Sequence, residues 1–264
     1  MSAIVITITS GKGGVGKTTA TANLGVALAS VGQRVVAIDA DIGLRNLDVV
    51  MGLENRIVYD LVDIVEERCR LRQAMIRDKR LSGLHLIPAA QTRDKMAVSP
   101  QDMIRVCDKL RPDFDYILVD SPAGIERGFQ NAVAPADEVI IVTTPEVAAV
   151  RDADRIIGLL EAEEKNTPRL IINRFKPDMA QRGDMLGTSD VIEILAIELI
   201  GIVPEDEAII ISTNRGVPAA LDEKALAGQA FRNIAQRIMG EDVPFMNLRD
   251  TSSIFSRLVK LIKQ

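Results

Sequence analysis

Short apolar runs recur along the chain at 4–9, 34–38, 84–88, 116–119, 139–143, 170–172 and 199–203. Most are continuous rather than alternating, the pattern of strands buried on both faces of a parallel sheet. Between them lie longer stretches with apolar residues at helical spacing, at 18–30, 55–76, 100–110, 148–164 and 190–198. Ser99–Pro100 supplies an N-cap followed by proline at the first helical position. This alternation predicts an α/β fold: a single doubly wound, mostly parallel sheet with helices on both faces and right-handed crossovers. The pattern changes after Met239, where GEDVPFMNLRDTSS carries no periodicity. The expected organisation is a domain over 1–240, a connector over 241–253 and a separate last segment, 254–264.

Composition narrows the classes. Hydrophobic residues make up 47% and charged residues 26% of 264, which is that of a folded globular chain. With no Trp and 3% aromatics, the core must be aliphatic. A net charge of -5 argues against nucleic acid as a partner, because duplex affinity comes mainly from Lys and Arg on phosphates. Cys69 and Cys107 form no CxxC pair and read as reduced thiols. His85, in the apolar run GLHLIP, reads as a core or strand-end residue. Only Met1, Ser2 and Ala3 precede the first strand, so no targeting peptide is expected. No apolar run approaches the length of a membrane span. The expectation is a cytoplasmic protein whose membrane contact, if any, is peripheral.

The chemistry begins at GKGGVGKT, residues 11–18, which fits G-x-x-x-x-G-K-[ST] between a predicted strand and a predicted helix. Gly11, Gly13, Gly14 and Gly16, with Val15, let backbone N–H groups curl around phosphates, and the following helix adds its positive end. Lys17 can reach the outer phosphates, Thr18 offers a hydroxyl to Mg²⁺, and Thr19 follows at the helix start. A guanine-reading NKxD segment is absent, since NRFK stands where one is expected, so the base is expected to be adenine. The implied reaction is ATP plus water to ADP plus phosphate.

Lys12, a second lysine in the loop, is not needed by an ordinary phosphate cradle. With it, KGGVGKT resembles the deviant Walker A motif of the MinD/ParA family. The stretches DADIGLRNLDVVMG, IPAAQTRDK, DSPAGIE, PEVAAVRDADR, RGDML and GIVPED are similar to that family along nearly the whole chain. The resemblance implies an ATP-dependent homodimer in which Lys12 reaches the partner copy's phosphates, where a cation stabilises the transferring phosphoryl group.

Asp39 and Asp41, in VVAIDADIGLRN, fall at the C-terminal end of a predicted strand, where open α/β sheets bind ligands. By resemblance Asp41 orients the attacking water and Asp39 lies nearer the metal. Asp120, ending YILVD, reads as a Walker B-like carboxylate holding Mg²⁺ through water, with Gly124 in the loop that follows. Asn173 and Arg174, and Pro204, Glu205 and Asp206, follow two further strands and are candidates to flank the base. The resemblance also implies a MinC-like division inhibitor and a MinE-like activator of hydrolysis, with Arg151, Asp152 and Asp154 on the candidate partner surface.

On a helical wheel Ile254, Phe255, Leu258, Val259, Leu261 and Ile262 fall within an arc of about 160°. Ser256, Arg257, Lys260, Lys263 and Gln264 take the other side. A polar face with three cations and no acid is that of a helix lying on an anionic membrane surface. One branch of the family carries a membrane-targeting sequence at this place and its DNA-partitioning branch does not. The alternatives are a ParA-like DNA-segregation or flagellar-placement ATPase. A nitrogenase-type iron–sulfur reductase needs cysteine settings that Cys69 and Cys107 do not occupy.

Overall fold

All seven apolar runs lie side by side as parallel strands. The structure, a computed structural model, describes residues 2–165 and 167–248. The strands are β1 (Ile4–Thr9), β2 (Val35–Asp39), β3 (Ile76–Arg77), β4 (Leu84–Ile87), β5 (Tyr116–Asp120), β6 (Glu138–Thr143), β7 (Arg169–Phe175) and β8 (Glu198–Pro204). Their order in one sheet is β3-β4-β2-β5-β1-β6-β7-β8. Only the two-residue β3, which the sequence pattern did not reveal, runs antiparallel, against β4.

The helices are α1 (Lys17–Ser30), α2 (Leu47–Met51), α3 (Leu61–Val65), α4 (Leu71–Ala74), α5 (Pro100–Leu110), α6 (Arg127–Val133), α7 (Val147–Ala162), α8 (Pro177–Arg182), α9 (Thr188–Leu195), α10 (Glu207–Asn214) and α11 (Leu226–Ile238). Successive strand residues feed opposite layers, as a two-residue period requires. Ile6, Ala37, Leu118 and Ile140 pack with Leu24, Leu28, Phe231 and Ile234 of α1 and α11. Val5, Ile38 and Val119 pack with Met103 and Val106 of α5. Val139, Ile141 and Ile172 pack with Ile156 and Leu160 of α7 and Val191 of α9. The expected doubly wound α/β architecture is therefore the one observed.

One stretch departs from its reading. Residues 55–76, expected as one helix, break into a 3₁₀ turn at Glu54–Arg56, then α3, α4 and β3. Asp60 caps α3 by accepting from Val62 and Asp63 N–H groups, and Glu67 takes a left-handed φ of 58°, so the helix stops after little more than one turn. The cap at Ser99 is as expected, with its hydroxyl accepting from Asp102 N–H.

The connector is described as far as Leu248 and contains neither helix nor strand there, but it is not a loose end. Arg237 of α11 donates to the Val243 and Pro244 carbonyls, Met246 packs on the core, and Leu248 is buried. The expected amphipathic segment 254–264 lies outside the described residues. Among the described residues no helix is long and apolar enough to cross a membrane.

Candidate nucleotide site

The C-terminal ends of β1, β2 and β5 bring together what the sequence separates. β1 feeds a loop, residues 10–16, that opens α1. Gly14 and Gly16 sit at φ of 79° and 102°, which disfavour any side chain, and Gly16 is the N-cap of α1. The loop is held from both flanks. A Cβ on Gly11 would strike the Asp152 backbone of α7, and one on Gly16 would strike the Asn173 side-chain amide. That amide donates to the Val15 carbonyl at 2.7 Å.

Lys17 points into the cradle, 7% exposed, and its ammonium donates to the Ser10 hydroxyl at 2.9 Å. Burial holds it below the usual lysine range, while the charges of Asp120 and Asp41 pull the other way. Ser10 in turn donates to the Lys12 carbonyl. Lys12 itself turns outward, half exposed, 3.7 Å from Glu146 at the N-cap of α7. The two lysines of one loop thus occupy opposite environments.

Asp39 and Asp120 are neighbours in register on β2 and β5, and each is 1% exposed. Burial, then the Asp39 charge, pushes Asp120 up to about 8, against hydrogen bonds from Thr18 and Thr21 and the charge of Lys17. Burial pushes Asp39 up to about 6, against three backbone donors. Those donors are Asp41 N–H at 3.0 Å and the N–H groups of Asn46 and Leu47, both at 3.1 Å. Asp39 therefore organises the loop that carries Asp41 and opens α2. Arg45 in that loop holds a left-handed φ of 47° and pairs with buried Asp48 at 3.0 Å. Beside this loop lies a void of only about 20 Å³, lined by its Asp41 and Ile42, by Pro122 after β5, and by Gly128 and Asn131 of α6.

Two adjacent buried carboxylates that both resist ionisation, with a threonine hydroxyl bonded to one of them, form an oxygen donor set suited to a hydrated Mg²⁺. The glycine cradle and Lys17 suit the phosphates of a nucleotide. Thr18 and Asp120 are joined directly here, whereas Asp39 is engaged chiefly with backbone.

Of the candidates for the base, Arg174 and Glu205 line a groove of about 680 Å³ at the ends of β6, β7 and β8, with Glu146, Lys176 and Met179. Asn173 supports the phosphate loop instead, and Asp206 caps α10, accepting from Ala208 and Ala227 N–H groups. Pro204 ends β8. Sequence reasoning missed Ser10, Thr21 and Glu146. Thr21 lies one turn after Thr18 on a helix whose start is legible, so spacing signals it; Ser10 and Glu146 announce themselves only through contacts.

Comparison with known proteins identifies relatives of this chain. The model of the CobQ/CobB/MinD/ParA nucleotide binding domain matches residues 6–219. The septum site-determining protein MinD of Synechocystis sp. is 56% identical over 244 residues, 92% of either chain. The MinC:MinD cell division protein complex of Aquifex aeolicus contains a chain similar at a TM-score of 0.87 and 51% identity, covering 93% of this chain and 99% of that one. The septum site-determining protein MinD from Pyrococcus horikoshii, complexed with Mg-ADP, is similar at a TM-score of 0.82 and 28% identity, covering 89% and 96%.

Proposed function

The chain belongs to the CobQ/CobB/MinD/ParA family of nucleotide-binding domains, and we propose that it is an ATPase switch that attaches to the membrane and places the division septum. It hydrolyses ATP to ADP and phosphate with Mg²⁺. Two copies join when each holds ATP, and the pair recruits a MinC-like division inhibitor. A MinE-like activator stimulates hydrolysis and so ends the attached state.

The observation that carries this reading is the contrast between Lys17 and Lys12. Lys17 is buried in its own cradle, whereas Lys12 stands half exposed on the outer flank beside Glu146, which supports a role toward a second copy. In this assignment Gly11 to Thr19 wrap the phosphates, Thr18 and Asp120 hold Mg²⁺ with Asp39 behind them, and Asp41 orients water. Arg174 and Glu205 flank the base, with Asn173, Pro204 and Asp206 as support. When bound, Mg²⁺ neutralises charge on the transferring phosphate.

Attachment falls to Ile254, Phe255, Leu258, Val259, Leu261 and Ile262 in the acyl boundary, with Arg257, Lys260 and Lys263 on anionic headgroups. Each basic residue adds on the order of 1 kcal/mol, so one segment grips weakly. Two on one dimer combine for a gain of roughly 10²–10⁴, which couples dimerisation to attachment. The protein then lives in the cytoplasm and at the inner face of the membrane.

The test is sedimentation with anionic liposomes. Binding should require ATP rather than ADP, and should vanish on deletion of 254–264 while nucleotide binding survives. Equal binding with ADP, or full binding after the deletion, sinks the reading. A DNA-segregating ATPase would instead pellet with DNA, and its binding would fall with salt.

A further inference from the structure

One side chain of the ATPase body holds the segment that leads to the proposed C-terminal anchor by several bonds at once. Arg237, in the last turn of α11, uses all three guanidinium nitrogens on backbone carbonyls. Nε donates to Val243, Nη1 to Ile200 of β8 and Nη2 to Pro244, each at 2.9 Å. Its guanidinium carbon also lies 4.3 Å from the centroid of the Phe245 ring. A planar fork that meets three carbonyls and one aromatic face is a specific device, which a lysine cannot reproduce. Beyond it Met246 packs on the core and Leu248 is buried, and both line one cavity with Ile202 of β8. Arg237 itself lines neither the phosphate cradle nor the groove assigned to the base, and the sequence pattern shows only an irregular connector.

We propose that Arg237 is the positioning residue that pins the root of the membrane anchor, so that the anchor acts from a fixed point at Leu248. This rests on the reading of 254–264 as the anchor. Five residues, 249–253, separate Leu248 from Ile254. Whatever path they follow, they reach no more than about 20 Å. Without the pin the tether begins after α11 and its closing turn, and twelve residues, 242–253, separate body from anchor. Effective concentration of the second anchor falls with roughly the −3/2 power of tether length, so release should weaken dimer attachment roughly 3- to 4-fold. Arg237 thereby converts a weak segment into a directed one without touching nucleotide.

The experiment uses the full-length chain as wild type, Arg237→Ala and Arg237→Lys. Limited chymotrypsin digestion, read by intact mass, should cut after Phe245 at least about fivefold faster in both variants than in wild type. With ATP and phosphatidylglycerol-containing vesicles, both should need roughly 3- to 4-fold more lipid for half-maximal sedimentation. ATP hydrolysis without vesicles should be unchanged. Inserting seven Gly/Ser residues after Leu248 in the wild type should reproduce the lipid shift and leave cleavage at Phe245 slow. Unchanged cleavage in Arg237→Ala overturns the pin. Faster cleavage with an unchanged lipid requirement overturns the positioning role. If deletion of 254–264 leaves vesicle binding intact, the anchor reading and the positioning role fall together, while the digestion still reports the pin separately.

Discussion

The two ends of the sheet handle charge in opposite ways. At the N-terminal ends of the strands, charges are at least partly exposed and are paired. Asp115 accepts from the backbone N–H, Nε and Nη2 of Arg34, joining the starts of β2 and β5. Asp137 accepts from Val5 N–H and from both Nη groups of Arg111, which also donates to the Ala3 carbonyl. Glu138 pairs with Arg169 across β6 and β7. Hydrogen bonds from Arg34 hold Asp115 below the usual carboxylate range. Burial pulls Asp137 upward, yet its bonds from Arg111 and Val5 hold it below that range as well. At the C-terminal ends, Lys17, Asp39 and Asp120 are buried together, and each is pushed toward its neutral form. One end staples strands together; the other stores an electrostatic demand that a nucleotide and its metal answer. The demand marks the working end more clearly than cavity size does.

The comparison can be broken most sharply at Lys17. Lys17→Ala should weaken ATP binding and hydrolysis by about 10²–10³-fold while the fold persists, measured by nucleotide titration and phosphate release. Retention of ATP affinity would remove Lys17 from the cradle. The next largest effect concerns Asp120. Asp39 and Asp120 hold protons more tightly folded than unfolded, where the carboxylate value is 3.8. The folded state therefore binds more protons between about pH 4 and 8. Nucleotide-free protein should lose stability as pH rises through that window, the part from Asp120 vanishing fully only above about 8. Asp120→Asn should flatten the slope of melting temperature between pH 5.5 and 8 and reduce Mg²⁺-dependent hydrolysis at least about 100-fold. A wild-type slope preserved in the variant would contradict the account. The smallest effect belongs to the stapled end. Arg111→Ala should cost about 2 kcal/mol, lowering the melting temperature by roughly 5 °C, with hydrolysis per folded molecule unchanged. A change in turnover there would show that the two ends are not independent.

What was legible in the sequence follows from where each element gets its stability. The seven parallel strands announce themselves because both faces are buried, leaving runs such as VVAID and YILVD with no polar alternation. β3 did not, since two residues at an edge carry no period. The apolar spacing of Leu61, Val62 and Ile64 suits a long helix, but the Asp60 cap that starts it and the left-handed Glu67 that follows limit it to five residues. The phosphate loop was readable because its function needs contiguous residues. The pairing of Lys12 with Glu146 joins positions 134 apart, and no local pattern foretells it.

The margins of the sheet have a last consequence. A strand with an unpaired flank invites any other strand, including one from an identical chain. Here one margin ends in the two-residue antiparallel β3, too short to template further growth, and along the other the segment fastened by Arg237 runs beside β8. The first flank is short, and on the second the Ile200 carbonyl is already occupied by Arg237. Self-association is thereby steered away from permanent sheet extension, the route to insoluble polymers, and toward the loops at the strand tips, where contact can be made and undone with each cycle of nucleotide.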